Sequence, residues 1–447
     1  MDEWRDIVGG AHVLTDPDAV TPYTTDWTGR FVGTGTTVLR PGSVEEVASI
    51  VAVCRREGIA IVPQGGNTGM VGGGVPLHGE VVVSLRRLDR VGEVDSVSHQ
   101  VSAGAGATVE TLQQAASAAG LRYAVDFGAR GTATVGGSVA TNAGGLNLIR
   151  YGGTREQLVG VEAVLGTGEV VRRMSGLVKD NTGYHLPSLL CGSEGTLGVV
   201  TEARFRLVPA TPHRVLAAVA FNSVGDAVAA VSAWRTGIRD LEAAELVLHE
   251  GVALVSETFG LPLPFTVAHP VYVLVEAAGS TDPTDDLADA VAGVPGVLDA
   301  AVATDEARRL ALWRLREDHT LAINHIGVPH KFDVTLPLSR LAEFVDAVPR
   351  VVQLAVPDAH TWLFGHVGDG NVHVNVTGVA SDAPALDAAV YGLVVEMGGS
   401  ISAEHGIGTA KAQYLPMQRS PAELSAMRAI KSALDPDGIL NPHALFT

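Results

Sequence analysis

The run Gly65-Gly66-Asn67-Thr68-Gly69-Met70-Val71-Gly72-Gly73-Gly74 directly follows an apolar stretch, Ile59-Ala60-Ile61-Val62. Neither a helix nor a strand interior tolerates that density of glycine, so the pattern predicts a short buried strand that opens into a loop after Pro63. With no Cβ atoms in the way, successive N–H groups can converge on an anion, and Asn67 and Thr68 add side-chain donors suited to phosphate oxygens. A pyrophosphate fits such a loop. The spacing is not the Gly-x-Gly-x-x-Gly of nicotinamide-binding folds, and it lacks the Gly-Lys-Ser/Thr ending of an ATPase loop. One such loop alone would read equally well as a surface turn. A second glycine-dense stretch runs from Gly131 and Thr132 through Gly136-Gly137 and Asn142 to Gly144-Gly145, and two such loops can hold a long ligand.

A different chemistry stands near the other end. In His366-Val367-Gly368-Asp369-Gly370-Asn371-Val372-His373-Val374-Asn375-Val376, valines alternate with polar residues after a turn-forming Gly-Asp-Gly-Asn. This predicts a hairpin with a loop over 368–371, placing His366 directly opposite His373 with Cβ atoms roughly 5 Å apart. Two imidazoles at that separation can share a divalent ion. Glu404, followed by His405, would complete a two-histidine, one-carboxylate set that leaves positions open for substrate. A cross-strand histidine pair bonded to each other or to water is the alternative.

Composition bounds the rest. A chain of 447 residues with 46% hydrophobic content divides into two or three compact units with sizeable cores. Mean hydropathy is positive, at +0.24, yet glycine, charge or histidine interrupts every apolar run before about 18 residues, so no membrane span is expected. The acidic start Met1-Asp2-Glu3-Trp4-Arg5-Asp6 has no secretion-signal pattern, and the expected location is the cytoplasm. Cys54 and Cys191 read as buried thiols, too few for an iron–sulfur cluster. A formal charge of −18 disfavours nucleic acid or anionic membrane as partners.

Short β-rich runs alternating with helical stretches give an α+β reading. Helices are expected over 44–57 and 112–119, and strands over 81–85, 101–105, 203–207, 214–221 and 270–276. A boundary is expected at Val208-Pro209-Ala210-Thr211-Pro212, and 279–286 reads as a turn-rich surface loop.

In order along the chain, the loop around Gly65-Gly66-Asn67-Thr68, the segment from Gly136 to Gly145, Gly192-Ser193-Glu194-Gly195-Thr196-Leu197-Gly198, the His366/His373 segment, Glu404-His405-Gly406-Ile407-Gly408 and Leu440-Asn441-Pro442 resemble the flavin-dependent D-2-hydroxyacid dehydrogenases. That family belongs to the vanillyl-alcohol oxidase superfamily, whose flavin domain is the PCMH-type. The resemblance implies an N-terminal segment over 1–35, a two-subdomain FAD-binding domain over 36–210, an α+β substrate domain with an antiparallel sheet over 211–401, and a segment over 402–447 returning to the flavin domain. It places FAD against Pro63, Gly65, Gly66, Asn67, Thr68 and Gly69, and along Gly131, Thr132, Gly136, Asn142, Gly144, Glu194, Gly195, Gly198, Val200 and Asn441. For Ser193-Glu194-Gly195-Thr196, a helix N-terminus capped by Ser193 is the alternative.

The implied activity is oxidation of a D-2-hydroxy acid such as D-2-hydroxyglutarate, D-lactate or a D-malate-like acid. The α-hydrogen goes as hydride to flavin N5 and the hydroxyl proton to His405. A divalent metal, zinc by resemblance, on His366, His373 and Glu404 would lower the hydroxyl pKa; a second-sphere role is the alternative for His405. Arg316 and Thr320, four apart on an expected helix, would share a face and bind the carboxylate with Lys331, while Asn375 orients a substrate oxygen. An external acceptor, an electron-transfer flavoprotein or quinone-like molecule, and a homodimer are compatible with the resemblance. So are two other readings, an oxygen-using flavin oxidase and a non-redox flavin- and metal-binding relative. Neither glycine-rich segment carries a histidine to tether the flavin, so denaturing the purified yellow protein should release intact FAD; flavin absorbance that stays with the precipitated chain would contradict this.

Overall fold

The computed structural model describes residues 1–380 and 382–446. It divides into two compact units: residues 1–145, 151–210 and 404–447 form the first, and 146–150 with 211–403 the second.

The first unit contains two four-stranded sheets. In one, Val38–Leu39, Val81–Ser84 and Ile61–Gln64 run parallel to one another, with Val13–Leu14 antiparallel at the edge. The helix Val44–Glu57 packs on it for reasons visible residue by residue. Ser43 caps its start by accepting from the Glu46 N–H, Glu45 and Glu46 occupy the first turn, and Arg55 and Arg56 the last. Gly58, at φ +66°, ends it. Val47, Ile50, Val51 and Cys54 follow helical spacing and are buried against Leu39, Ile61 and Val83. The other sheet, ordered Gln100–Gly104, Val199–Arg206, Leu158–Val164, Val170–Arg173, is antiparallel and shares a core with the helix Val109–Ala118. The expected strand at 59–62 is observed at Ile61–Gln64, so the glycine loop starts directly from a strand end.

The second unit is built on a seven-stranded antiparallel sheet in the order Val297–Ala303, His213–Phe221, Val271–Gly279, Leu241–Leu248, His360–Gly365, Asn371–Thr377, His330–Thr335. Its register decides which side chains share a face. Lys331 lies opposite Asn375 and Asp333 opposite His373; Phe364 also lies opposite His373, and Val247 opposite Phe364. Lys331, Asp333, His373, Asn375, Phe364, Val247 and, two residues before it, Glu245 therefore line one face. The helices His249–Phe259, Glu306–Glu317 and His319–Ile326 pack there through Val252, Val255, Leu315, Ala322 and Ile323. On the opposite face, Phe332 meets Tyr391 edge-on at 5.3 Å, and the amphipathic helix Leu338–Ala355 buries Leu341, Phe344, Val345, Val348 and Val352.

Three local expectations need correction. The loop over 279–286 is only partly a loop: the helix Thr284–Ala292 begins inside it. No helix starts at Ser193; residues 192–195 turn, with Gly192, Glu194 and Gly195 all at positive φ. The hairpin is out of the expected register by two residues, because the turn opens at His366 rather than Gly368. The His366 carbonyl accepts from the N–H groups of Asp369, Gly370 and Asn371, which ends the preceding strand at Gly365. A shift of two preserves side-chain parity, so the histidines become diagonal rather than direct neighbours.

Gly370 makes that turn possible. Its φ is +87°, and a Cβ there would sit 2.3 Å from the Leu336 carbonyl oxygen. Gly370→Ala should therefore destabilise the protein by about 1–3 kcal/mol, read as a lower urea midpoint. An unchanged midpoint would show that the turn tolerates a side chain.

Candidate active site

In the first unit the glycine-rich loop has the geometry expected of an anion cradle. Among the described residues, no backbone N–H from Gly65 to Met70 donates to a protein acceptor. Asn67, at φ +56°, turns the loop and donates its side-chain amide to the Thr25 carbonyl at 2.8 Å. That amide is a brace, so the donors left for a phosphate are mainly backbone N–H groups. Arg86 braces the loop from the other side through the Gly65 and Gly66 carbonyls, both at 3.2 Å.

The second glycine-dense stretch is a short helix, Val135–Thr141, more than a loop. Thr134 caps it, and Asn142 ends it in the left-handed region. Gly136 is glycine because a Cβ would lie 2.6 Å from that of Ala105. The two stretches pack together: a Cβ on Gly65 would come within 2.1 Å of Thr134 Oγ1, and one on Gly66 within 2.0 Å of the Thr132 carbonyl. Gly131 and Thr132 line a cleft of about 400 Å³ with Arg86 and Asp89.

Four more of the expected positions converge beside the loop. Asn441, at φ +42°, donates its amide to the Gly73 and Glu194 carbonyls at 2.9 and 2.8 Å. A Cβ on Gly195 would lie 3.2 Å from Pro63 Cγ. The half-buried Glu194 accepts through its carboxylate from the Ile407 N–H at 2.8 Å and the Gly408 N–H at 2.7 Å, fixing the turn that follows His405. Burial raises the Glu194 pKa above the usual carboxylate range, against the pull of those two donors and Lys411. Its side chain is thus a clamp on the 406–408 turn. Asn142 accepts from the Arg155 N–H at 2.9 Å, Gly198 packs against Leu190 and Val164, and Val200 is buried in its sheet. Gly144 stands between Ala143, whose carbonyl accepts from Thr154, and Gly145, whose N–H donates to a Glu404 oxygen at 2.8 Å.

In the second unit, the His366 and His373 rings meet edge-to-face with centroids 5.3 Å apart, and a ring nitrogen of each lies within 4.8 Å of the other's. Each imidazole has a buried carboxylate at Nδ1. Glu245 Oε1 lies 2.5 Å from that atom of His366, and Asp333 Oδ1 lies 3.5 Å from that of His373. An ionised Glu245 is acceptor-only, so His366 Nδ1 is the donor in that hydrogen bond, while Asp333 lies at ion-pair distance from His373. Asp369, in the turn, has its pKa raised first by burial, with His366 opposing and Glu245 and Asp333 adding to the rise. Three carboxylates thus gather around two imidazoles, one of them hydrogen-bonded to Glu245, an arrangement that suits a cation. Glu404 directly follows Ala403, whose N–H donates to the Asp333 carbonyl at 3.1 Å.

The expected carboxylate clamp is only partly as drawn. Arg316 and Thr320 do not share a helix: Glu306–Glu317 ends at Asp318, where ψ is −1°, and His319–Ile326 follows, so the four-residue spacing no longer fixes a common face. Arg316 is 7% exposed, donates through Nε to Glu245 Oε2 at 2.7 Å and lies 4.7 Å over the Phe364 ring. Neither terminal amino group of its guanidinium has a protein acceptor among the described residues. Lys331 has its pKa lowered by burial and lies across from Asn375 on the face that carries His373.

Sequence reasoning missed Glu245, Asp333 and Asp369. A signal existed: Glu245 interrupts the apolar strand Leu241–Leu248, and Asp333 stands two residues from Lys331 in a strand of alternating pattern.

Comparison with known proteins fits this geometry. Residues 36–173 match the FAD binding domain, and residues 210–445 match the C-terminal domain of FAD linked oxidases. The chain is 38% identical to the D-2-hydroxyglutarate dehydrogenase of Xanthomonas citri pv. viticola, over 98% of this chain and 95% of that one. It is 39% identical to the mitochondrial D-2-hydroxyglutarate dehydrogenase of Bos taurus, over 97% of this chain and 81% of that one. Among solved structures, p-cresol methylhydroxylase with substrate bound aligns with a TM-score of 0.78 over 100% of this chain and 96% of that one, at 18% identity. Alkyldihydroxyacetonephosphate synthase aligns at 0.76 over 99% and 84%, at 17% identity. These two show the fold, an FAD-binding unit of the PCMH type joined to a FAD-oxidase C-terminal unit. The chain belongs to the FAD-linked oxidase family, in the group of the D-2-hydroxyglutarate dehydrogenases. It is an FAD-dependent oxidoreductase.

Because the cradle and the histidine pair belong to different units, His366→Ala should lose any bound divalent metal while FAD content stays at the wild-type level. Metal analysis and flavin absorbance on one preparation check this. Wild-type metal content in the variant would remove His366 from the ligand set.

Proposed function

We propose that the chain oxidises a D-2-hydroxy acid to the 2-oxo acid using non-covalently bound FAD and a divalent cation held by His366, His373 and Glu404. The observation that carries this reading is the imidazole pair, each ring with a carboxylate on Nδ1, beside a guanidinium with two unspent amino groups. Two nitrogens and one carboxylate suit zinc with positions left open, as in catalytic rather than structural sites. D-2-hydroxyglutarate is the substrate favoured by the names of the relatives.

Bound FAD supplies a two-electron acceptor, and a bound cation supplies positive charge near the substrate hydroxyl. Arg316 grips a substrate carboxylate through its free amino groups, with Thr320 and Lys331 as further donors. Asn375 orients an oxygen. His405 takes the hydroxyl proton on a ring nitrogen as the α-carbon gives up its hydrogen with two electrons, so the C–O single bond becomes a carbonyl. Glu194 keeps the turn after His405 in place through Ile407 and Gly408. Backbone N–H groups of residues 65–70 hold the flavin pyrophosphate.

Arg316→Ala should chiefly raise KM, by roughly 10- to 150-fold, since a hydrogen bond to a charged group is worth about 1.5–3 kcal/mol. His405→Ala should instead slow flavin reduction about 10²- to 10⁴-fold even at saturating substrate, with partial recovery as pH rises and the hydroxyl ionises unaided. Single-turnover flavin reduction separates the two. A wild-type reduction rate in the His405 variant, or unchanged affinity in the Arg316 variant, would show the roles to be wrongly assigned.

A further inference from the structure

Glu245 belongs to none of the roles above, yet two of them converge on it. It is 1% exposed, with Oε1 on His366 Nδ1 at 2.5 Å and Oε2 on Arg316 Nε at 2.7 Å. We propose that Glu245 is a positioning residue that ties recognition of the substrate carboxylate to presentation of a metal ligand. The proposal rests on the reading of His366 as a ligand.

The argument is geometric. By accepting at Nδ1, Glu245 fixes the His366 tautomer, leaves Nε2 as the ligating atom and makes it more basic. By accepting at Nε, it uses the one guanidinium donor that cannot take part in an end-on, two-amino grip and holds the guanidinium over Phe364, 4.7 Å from the ring centroid. Each oxygen is committed to one partner, so neither the imidazole nor the guanidinium can rotate without breaking a buried charge-assisted bond. An ion pair with a purely structural role would need only one of these partners. The residue also has to be a carboxylate: glutamine has one acceptor oxygen, and its amino group would face an N–H donor on one side.

Glu245→Gln tests this with two readouts on the purified flavoprotein. The first is zinc affinity of the metal-stripped protein, measured by competition with a chromophoric chelator. The second is KM for the hydroxy acid in the zinc-loaded protein. Zinc affinity should fall about 10- to 100-fold, as when an outer partner of a ligating histidine is removed. KM should rise about 10-fold through loss of the oriented guanidinium, with flavin content at the wild-type level. Glu245→Asp, which keeps both acceptors on a shorter arm, should recover part of both losses, and it carries the same comparison if the glutamine variant does not fold. A glutamine variant in which either constant stays at its wild-type value overturns the coupling. Wild-type protein that binds no zinc at all would overturn the ligand reading itself, which is a distinguishable result.

Discussion

A carboxylate buried on the inner face of a sheet is stable only if something positive or donating is held against it, and in the second unit this requirement organises the whole site. Glu245 and Asp333 are each about 1% exposed on one face of the seven-stranded sheet. Leaving either without a partner would cost several kcal/mol. The sheet register answers by placing His373 opposite Asp333, and the turn brings His366 to Glu245, while Arg316 reaches Glu245 from a covering helix. Satisfying Glu245 also fixes how the His366 ring is turned. Stability of the sheet face and readiness for a cation are the same arrangement.

The first unit solves the opposite problem with the opposite chemistry. There the ligand's charge is expected to be met mainly by backbone, so side chains act as braces. Asn67, Arg86 and Asn441 all spend donors on carbonyls of the loop or its neighbours, and among the described residues the N–H groups from Gly65 to Met70 have no protein acceptor. Glu194 shows the division most clearly. Its backbone is in the left-handed region at φ +53° and its carboxylate holds the 407–408 amides, so it shapes the chain after His405 by strain at one end and a clamp at the other.

What was legible in the sequence follows from how far each signal reaches. The helix Val44–Glu57 was readable to both ends because cap, periodicity and terminal glycine are all local. The hairpin's face was readable from the valine alternation, but its register was not: the His366 carbonyl captures three successive N–H groups, which residue type does not encode. Arg316 and Thr320 lost their shared helix to a change of ψ at Asp318. Glu245 was invisible as a site residue because it lies 121 positions from His366 and only strand pairing brings it near. The family motifs drew attention to ligands and glycines, whereas the groups that orient them lie in strands that read as ordinary core.

The charge balance gives the local arrangement its meaning. With a formal charge of −18, the chain repels an anionic substrate at long range, though at physiological ionic strength that field decays over about 8 Å. Attraction must therefore come from cations placed at contact distance. Burial helps here: Arg316 is 7% exposed, so its remaining donors act in a medium of lower dielectric than water, and the adjoining Phe364 ring holds its plane. Glu245 offsets part of that positive charge, which would weaken binding if the pairing were all there was to it. Because it takes only Nε, it leaves free the two amino groups that match a carboxylate, exchanging some attraction for orientation. In the proposed oxidation, where hydride and proton leave one carbon and its oxygen toward different acceptors, orientation is the larger gain, since misplacement by about 1 Å can cost 10²-fold in rate.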